Sequence, residues 1–570
     1  MLRNEWIKRS LKVWLGLAVC SLTAYSIEQV NAKSIKGSAD FLKADKQNVQ
    51  RWREMKFGLF IHWGPVSLKG TEIGWSRGGE RRGRKDKSTG SIPVEIYDNL
   101  YKHFNPVKFN ADEWVQTAKD AGMKYLVFTS KHHDGFSMFD SQLTDYKITN
   151  SPFKRDVVKE LADACHKAGL KLGYYYSPPD WYHPDYRTEN HPRYIRFLHG
   201  QLREICSNYG KIDIIWFDGL GGKAEDWDSE NLFRMIRRLQ PHVIINNRAG
   251  LPGDHDTPEQ KVGKFQNDRP WETCMTICRQ WAWKPNDRMK SLKQSIDTLV
   301  RVVGGDGNLL FNVGPMPDGR IEPRQVARLK EMGSWLKKYG RSIYATRGGP
   351  FKPGNWGAST HKGNTVYIHV LNWQEDTLTL PPIPKKIVAS SVMTGGAVTV
   401  RQTKQAIEIS VPKAYRRELD TIIVLKLDGP ANKISPRALL SSSLTAEKKA
   451  RASNVFQKNA AYSPAKAVDD DPATRWATDT GTKQAWLEVD LGKPMTFSRV
   501  KISEDYDRVR EFELQYRNSK QWKAFDQGTK LGLDYSKQFK PITARYVRLN
   551  ILDATDGPTI WDFQLFAPKK

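Results

Sequence analysis

Between residues 50 and 340 the chain repeats one pattern, a short continuous apolar run followed by a helix-forming stretch. No other feature restricts the fold as much. The runs lie at 57–63, 125–130, 172–177, 212–218, 243–247, 272–277 and 309–313. Strands that are apolar without alternation suit a sheet covered on both faces, as parallel sheets are. Helical segments are predicted at 112–121, 155–168, 230–239 and 291–303, the first opening after Asn110 and the second stopping at Gly169. Strands alternating with helices over this length predict a (β/α) TIM-like barrel, irregular or lacking one strand in the pattern. No GxGxxG follows the first strand, so a dinucleotide fold has no support.

Beyond residue 343 the period changes. Short runs at 365–370, 386–392 and 407–411 predict a β-sandwich, a stretch rich in Pro, Ser and Ala follows, and the remainder again reads as strands. The expected division is a leader at 1–32, the barrel at 33–342, a β-sandwich at 343–430, a linker at 431–444 and a C-terminal β-sandwich at 445–570. The leader combines Arg3, Lys8, Arg9 and Lys12 with an apolar run at 13–24. That run is shorter than the roughly 20 residues needed to cross a bilayer, so it reads as a cleaved signal peptide of a secreted or periplasmic protein. No later apolar run is long enough for a membrane span. Beyond Cys20 the cysteines are Cys165, Cys206, Cys274 and Cys278, with no CxxC pair and no histidines at zinc spacing, and they read as buried free thiols.

The ends of barrel strands carry the chemistry in this architecture. They select His62 and Trp63, His132, His133 and Asp134, Tyr175 and Tyr176, Trp216 and Asp218, and Asn246, Asn247 and Arg248; Glu259 and Glu272 come in the next segments. Asp218 closes the apolar run IDIIWF, which fixes a carboxylate rigidly at the barrel mouth. Glycoside cleavage uses two carboxylates, one as nucleophile or base and one as acid. Glu272, between Trp271 and Thr273, is the preferred partner, because apolar neighbours raise a carboxyl pKa; Glu259 in the loop DTPEQ is the alternative. A metal held by His62, His132 and His133 with Asp134 is disfavoured, because adjacent strand residues point apart. Sugar hydroxyls suit His, Tyr and Arg, and the tryptophans suit the apolar face of a sugar ring.

Six stretches together resemble glycoside hydrolase family 29, the retaining α-L-fucosidases: MKFGLFIHWGP, YLVFTSKHHDGF, GLKLGYYYSPPDW, IDIIWFDG, PWETCMTI and GNLLFNVGPMPDG. The resemblance spans about residues 45–345. It implies that Asp218 is the nucleophile and that His62, His132, His133, Tyr175 or Tyr176, and Arg248 contact fucose, with Trp63 and Trp216 as walls. The acid/base position differs within the family, near Glu272 in some members and near Glu259 in others. The family's Glu-Trp pair stands here as Glu72-Ile73-Gly74-Trp75, which leaves Glu72 an uncertain substrate contact. The implied activity is exo-hydrolysis of terminal α-L-fucose from glycans, without a cofactor for catalysis. The rival readings are a retaining exo-glycosidase for another sugar and a non-catalytic glycan-binding protein.

The C-terminal stretches AVDDDPATRWAT, WLEVDLG, ARYVRLNI and IWDFQLF resemble a discoidin-like (factor 5/8 type C) carbohydrate-binding module. That resemblance implies a structural Ca²⁺ held by Asp469, Asp471, Thr474 and Asp562. The net charge of +27 is not gathered in any nucleic-acid-binding motif, so no nucleic-acid partner is expected. One basic cluster, Arg77, Arg81, Arg82, Arg84, Lys85 and Lys87, follows the first strand and belongs on the active-site face, where it reads first as a solvated loop and, as the alternative, as a selector of acidic glycans.

Overall fold

The continuous apolar runs fold as parallel strands: β1 (Phe57–Ile61), β2 (Tyr125–Lys131), β3 (Lys171–Tyr176), β4 (Ile214–Phe217), β5 (Ile244–Ile245), β6 (Glu272–Thr276) and β7 (Asn308–Val313). In this computed structural model, which describes residues 39–84, 89–262, 264–439, 443–471 and 474–568, they form one sheet in the order β5-β4-β3-β2-β1-β7-β6. The leader, and Lys85 and Lys87 of the basic cluster, lie outside the described residues.

Helices α1 (Lys46–Met55), α2 (Ala111–Asp120), α3 (Val157–Ala168), α4 (His191–Asn208), α5 (Ser229–Leu239), α6 (Leu292–Gly304) and α7 (Pro323–Tyr339) accompany the sheet. Their ends follow local chemistry. Asn110 accepts the Glu113 N–H, Asp156 accepts the Lys159 N–H, and Ser291 with Gln294 forms a capping box. Gly169 ends α3 at φ 69°.

Two cores separate on the strand period of two. Phe60, Tyr125, Val127, Tyr175, Trp216 and Cys274 fill the inside of the curled sheet, with Trp52 of α1 beneath them. Leu59, Ile61, Trp63, Leu126, Tyr174, Tyr176 and Phe217 face the helices.

The edges β5 and β6 are joined by an extended strap, residues 254–260. Asp254 N–H donates to Ile245 C=O at 2.7 Å, and parallel bridges pair Asn246 with His255, Asp256 with Trp271, and Glu259 with Cys274. The strap stands in the place of an eighth strand. Pro258 and the turn before it break the apolar pattern, which is why the sequence displays seven runs. Its start is pinned by Asp254, whose carboxylate accepts the N–H of Ala44 at 2.6 Å and of Ile245 at 2.8 Å and pairs with Arg237 at 2.7 Å.

Residues 347–427 form a five-stranded and a three-stranded antiparallel sheet around Val366, Ile368, Leu380, Ile407, Ile409 and Ile423. This unit packs on α6 so closely that a Cβ on Gly304 would lie 2.4 Å from that of Ala358. The last unit folds seven antiparallel strands, including two 20-residue strands (Ala485–Glu504 and Tyr535–Ala554) bent at register shifts, around its own apolar core. It meets the middle unit through the Arg499–Glu375 ion pair at 2.7 Å and the Asn355–Asp562 hydrogen bond at 3.1 Å. Cys165, Cys206, Cys274 and Cys278 are buried free thiols. Among the described residues no helix is long and apolar enough to cross a membrane.

Replacing Asp254 by Ala leaves Arg237 buried without its partner and frees the strap. The expected loss is about 3–5 kcal/mol of stability, read as a lowered midpoint in urea unfolding followed by tryptophan fluorescence. A loss under about 1 kcal/mol would show that the strap is held by other contacts.

Candidate active site

The cavity opens beyond the C-terminal ends of the strands and has a volume of about 370 Å³. Strand pairing sets its floor. Tyr175 and Trp216 are register partners on β3 and β4, so their rings stack at 5.7 Å with 17° between planes. Asp218 follows the last residue of β4. The next residue must be small, since a Cβ on Gly219 would lie 2.2 Å from the Arg248 carbonyl oxygen. The Gly219 N–H donates to that same carbonyl at 3.0 Å, which ties the Asp218 turn to the Arg248 turn.

The Asp218 carboxylate accepts Arg248 Nη1 on Oδ1 at 3.1 Å and the Tyr175 hydroxyl on Oδ2 at 3.1 Å; His133 Nε2 lies 3.6 Å from Oδ2. Burial pushes its pKa up, but the charge of Arg248, with the hydrogen bonds from Arg248 and Tyr175, holds it below the ordinary carboxylate value. The same Arg248 Nη1 lies 2.8 Å from Glu259 Oε2. Arg248 is aimed by Thr257, which takes Nε on its hydroxyl at 2.9 Å and Nη2 on its carbonyl at 3.0 Å, and its guanidinium lies 4.8 Å over the Trp216 ring. One nitrogen therefore touches both carboxylates, and their nearest oxygens are no farther apart than those two short contacts laid end to end. Retaining glycosidases set their carboxyl groups roughly 5–5.5 Å apart, and this arrangement accommodates that spacing.

His62 and His132 line the cavity, and His133 stands beside Asp218. Burial lowers the His62 pKa to about 3, that of His132 well below its usual value and that of His133 to about 4, so all three imidazoles are neutral near pH 7. His132 stacks on Tyr175 at 5.3 Å and 7°, and its ring lies 4.2 Å from that of His133. Both lie past the end of β2 at Lys131, so the strand rule that separates neighbours does not apply: His132 lines the cavity and His133 reaches Asp218. Asp134, by contrast, is turned to the Tyr97 hydroxyl at 2.7 Å.

Four expected site residues lie elsewhere. Trp63 faces the helices, among Phe104, Phe109 and Trp114, because it has the opposite strand parity to His62. Tyr176 likewise points outward to Gln201 at 2.8 Å, leaving Tyr175 in the cavity. Glu72 is off the cavity, its carboxylate bonded to the backbone N–H groups of Trp281 and Ala282. Glu272 opens β6 rather than closing it, two residues and about 6.6 Å below the cavity-lining Cys274. Its side chain is fully buried, accepting the Trp216 indole at 3.1 Å and the Tyr125 hydroxyl. Glu259 occupies the rim position that Glu272 was expected to hold, with 41% of its side chain exposed. The cavity also uses Phe60, Trp75, Thr257, Cys274 and Trp281, which the sequence reading did not select. Phe60 and Cys274 share strand parity with His62 and Asp218's neighbours, a signal present in the pattern; Trp281 sits in a loop with no such signal.

The described part of the basic cluster lies against the rim. Arg81 and Arg84 cover the Trp75 ring at 5.2 and 4.8 Å, Arg82 donates to the His183 and Pro184 carbonyls, and Arg77 is buried against Asp98 at 2.6 Å. In the C-terminal unit Asp469 accepts the Thr474 hydroxyl at 2.7 Å and pairs with Lys466 at 3.0 Å. Asp562 is taken up by Asn355, and its pKa is pushed up to about 6 by burial and by Asp470, Asp469 and Asp471. Among the described residues no group of three or more His, Cys, Asp or Glu side chains is arranged to hold a metal ion.

Residues 24–341 match the family model described as Alpha-L-fucosidase, and residues 449–563 match the F5/8 type C domain. The plasma alpha-L-fucosidase of Homo sapiens is 30% identical over 383 residues, 61% of this chain and 81% of that protein. The alpha-L-fucosidase isoenzyme 1 of Paenibacillus thiaminolyticus is 36% identical with a TM-score of 0.61, covering 67% of this chain and 99% of that one. A GH29 alpha-L-fucosidase of Bacteroides thetaiotaomicron, solved as a trapped covalent intermediate, is 29% identical with a TM-score of 0.60, covering 68% and 97%. The alpha-L-fucosidase of Vibrio sp. strain EJY3 shares the fold over 93% of this chain at 21% identity and a TM-score of 0.61.

Burial raises the Glu272 pKa from 4.5 to about 7. A carboxyl that keeps its proton longer folded than unfolded lowers stability as pH rises between those two values. Glu272→Gln removes this penalty, on the order of 3 kcal/mol, so the variant should hold its stability from pH 4.5 to 7 while the parent loses it. Parallel stability–pH curves for the two proteins would exclude a proton on Glu272.

Proposed function

The chain belongs to glycoside hydrolase family 29, the α-L-fucosidases, and on that premise we propose that Asp218 is its nucleophile and Glu259 its acid/base. The observation that supports this most directly is the Arg248 nitrogen shared by the two carboxylates at 3.1 and 2.8 Å. The neighbour trapped as a covalent intermediate supports a retaining reaction of the same kind.

Asp218 enters the reaction ionised, because Arg248 and Tyr175 compensate its burial. It attacks the anomeric carbon while Glu259, on the exposed side of the strap, delivers a proton to the leaving oxygen. The aglycone departs past this rim. Glu259 then takes a proton from water, which opens the fucosyl ester with net retention. The neutral histidines and Arg248 bind sugar hydroxyls, while Trp281, Trp75 and Phe60 supply apolar wall. A cavity of about 370 Å³ suits a single terminal sugar, hence exo action on fucosylated glycans. Nucleophile, acid and base are all side chains, so the steps draw on no cofactor. The leader composition supports export to the periplasm or medium.

Asp218→Ala should lower kcat on an aryl α-L-fucoside by roughly 10³-fold or more, with the fold retained. Glu259→Ala should regain turnover with added azide and release the α-fucosyl azide. Azide acting on Asp218→Ala should instead release the β-azide, because only one displacement remains. Near-normal turnover of Asp218→Ala, or azide rescue of Glu272→Ala in place of Glu259→Ala, would sink the assignment.

A further inference from the structure

Glu72 and Asn312 take no part in the steps above, yet both are committed to one loop of the cavity wall. Glu72 Oε2 accepts the Trp281 N–H at 2.9 Å, and Oε1 accepts the N–H of Ala282 at 3.0 Å and of Ile73 at 3.2 Å. Asn312, buried on β7, donates Nδ2 to the Trp281 carbonyl at 2.8 Å. The peptide groups on both sides of Trp281 are therefore held by side chains more than 30 residues away in sequence. The Trp281 ring lines the cavity beside His62, their centroids 4.8 Å apart.

The direction of these bonds fixes a proton. A carbonyl only accepts, so the end of the Asn312 amide facing the Trp281 carbonyl is its NH₂. The other end, Oδ1, lies 2.6 Å from His62 Nδ1 and also only accepts, so Nδ1 carries the hydrogen. His62 is neutral in this buried setting, which leaves a lone pair on Nε2, the nitrogen not engaged by Asn312 in a ring that lines the cavity.

We propose that Glu72 and Asn312 are positioning residues that, through the Trp281 backbone, present His62 to the sugar as a hydrogen-bond acceptor. The site thereby selects a free hydroxyl at that point of the ring and refuses one blocked by methyl, acetyl or sulfate. This specificity rests on the reading that the cavity holds the terminal fucose. Loss of Asn312 frees the His62 ring to exchange tautomers, and loss of the Glu72 carboxylate loosens the Trp281 loop. Glutamine at position 72 would turn its NH₂ toward either the Trp281 N–H or the N–H groups of Ala282 and Ile73, so it does not substitute for the carboxylate.

The test uses the full chain labelled with ¹⁵N-histidine and a panel of aryl α-L-fucosides, each O-methylated at one ring hydroxyl. His62 in the parent should give the Nδ1–H tautomer by long-range ¹H–¹⁵N correlation, and Asn312→Ala should lose that fixed state. One methylated substrate should fall by roughly 10²-fold or more in kcat/KM with the parent, a gap that narrows to under about 10-fold with Asn312→Ala. Glu72→Gln should raise KM about 10-fold with a smaller change in kcat. An Nε2–H tautomer in an active parent, or unchanged discrimination in an active Asn312→Ala, overturns the proposal. Should Asn312→Ala fail to fold, the parent tautomer and the Glu72→Gln kinetics still decide. A parent inactive on every fucoside overturns the fucosidase reading itself, a different failure.

Discussion

The guanidinium of Arg248 is the contact on which the site depends. Two carboxylates facing one small cavity repel each other, and burial alone would protonate one of them. Arg248 lies against both, and its charge keeps Asp218 ionised, the state that the proposed attack on a sugar requires. The arginine does not stand by itself. Thr257 holds it from the strap side, the Trp216 ring supports it from below, and the hydrogen bond from the Gly219 N–H to the Arg248 carbonyl locks its turn to that of Asp218. Trp216 is in turn fixed by Glu272 in the barrel interior. The glutamate favoured from the sequence is thus part of the foundation: it aims the indole that carries the arginine that joins the Asp218 and Glu259 carboxylates.

The strap at 254–260 explains why the barrel and the site share one irregularity. A regular eighth strand would send alternate side chains inward on a fixed period. The strap bridges the edges only at intervals, which lets Thr257 reach Arg248 while Glu259 stands at the rim. The middle unit packs on α6, and the C-terminal unit reaches it at Glu375 and Asn355.

Much of this was legible along the chain, and the misses have definite causes. All seven runs became strands, and Asn110 and Gly169 marked helix ends, because caps and continuous apolar runs are local signals. The three further helices α1, α4 and α7 were not singled out. At the site, Asp218, Arg248, His62, His132 and Tyr175 follow from one rule, that strand ends line the barrel mouth. Trp63 and Tyr176 satisfied the rule yet point away, since a strand's period of two gives parity without saying which parity faces inward. Glu272 lies elsewhere although its place was visible: it opens the run at 272–277, and the register against Asn308 sets it at the lower end of its strand. Glu72 was read as a sugar contact, although its partners are backbone N–H groups some 210 residues away, which no spacing discloses.

The sequence by itself determined the parallel α/β barrel, the two β units after it, the carboxylate at the end of β4 and the family, all of which rest on short-range pattern and on motifs in chain order. Tertiary structure decided which glutamate stands beside Asp218, which of each aromatic pair enters the cavity and where the barrel closes. The physical reason is that a carboxylate's role is set by its neighbours in space, a cation, an indole or open water. Those neighbours are chosen by sheet register and by the strap, not by the residues beside it in the chain.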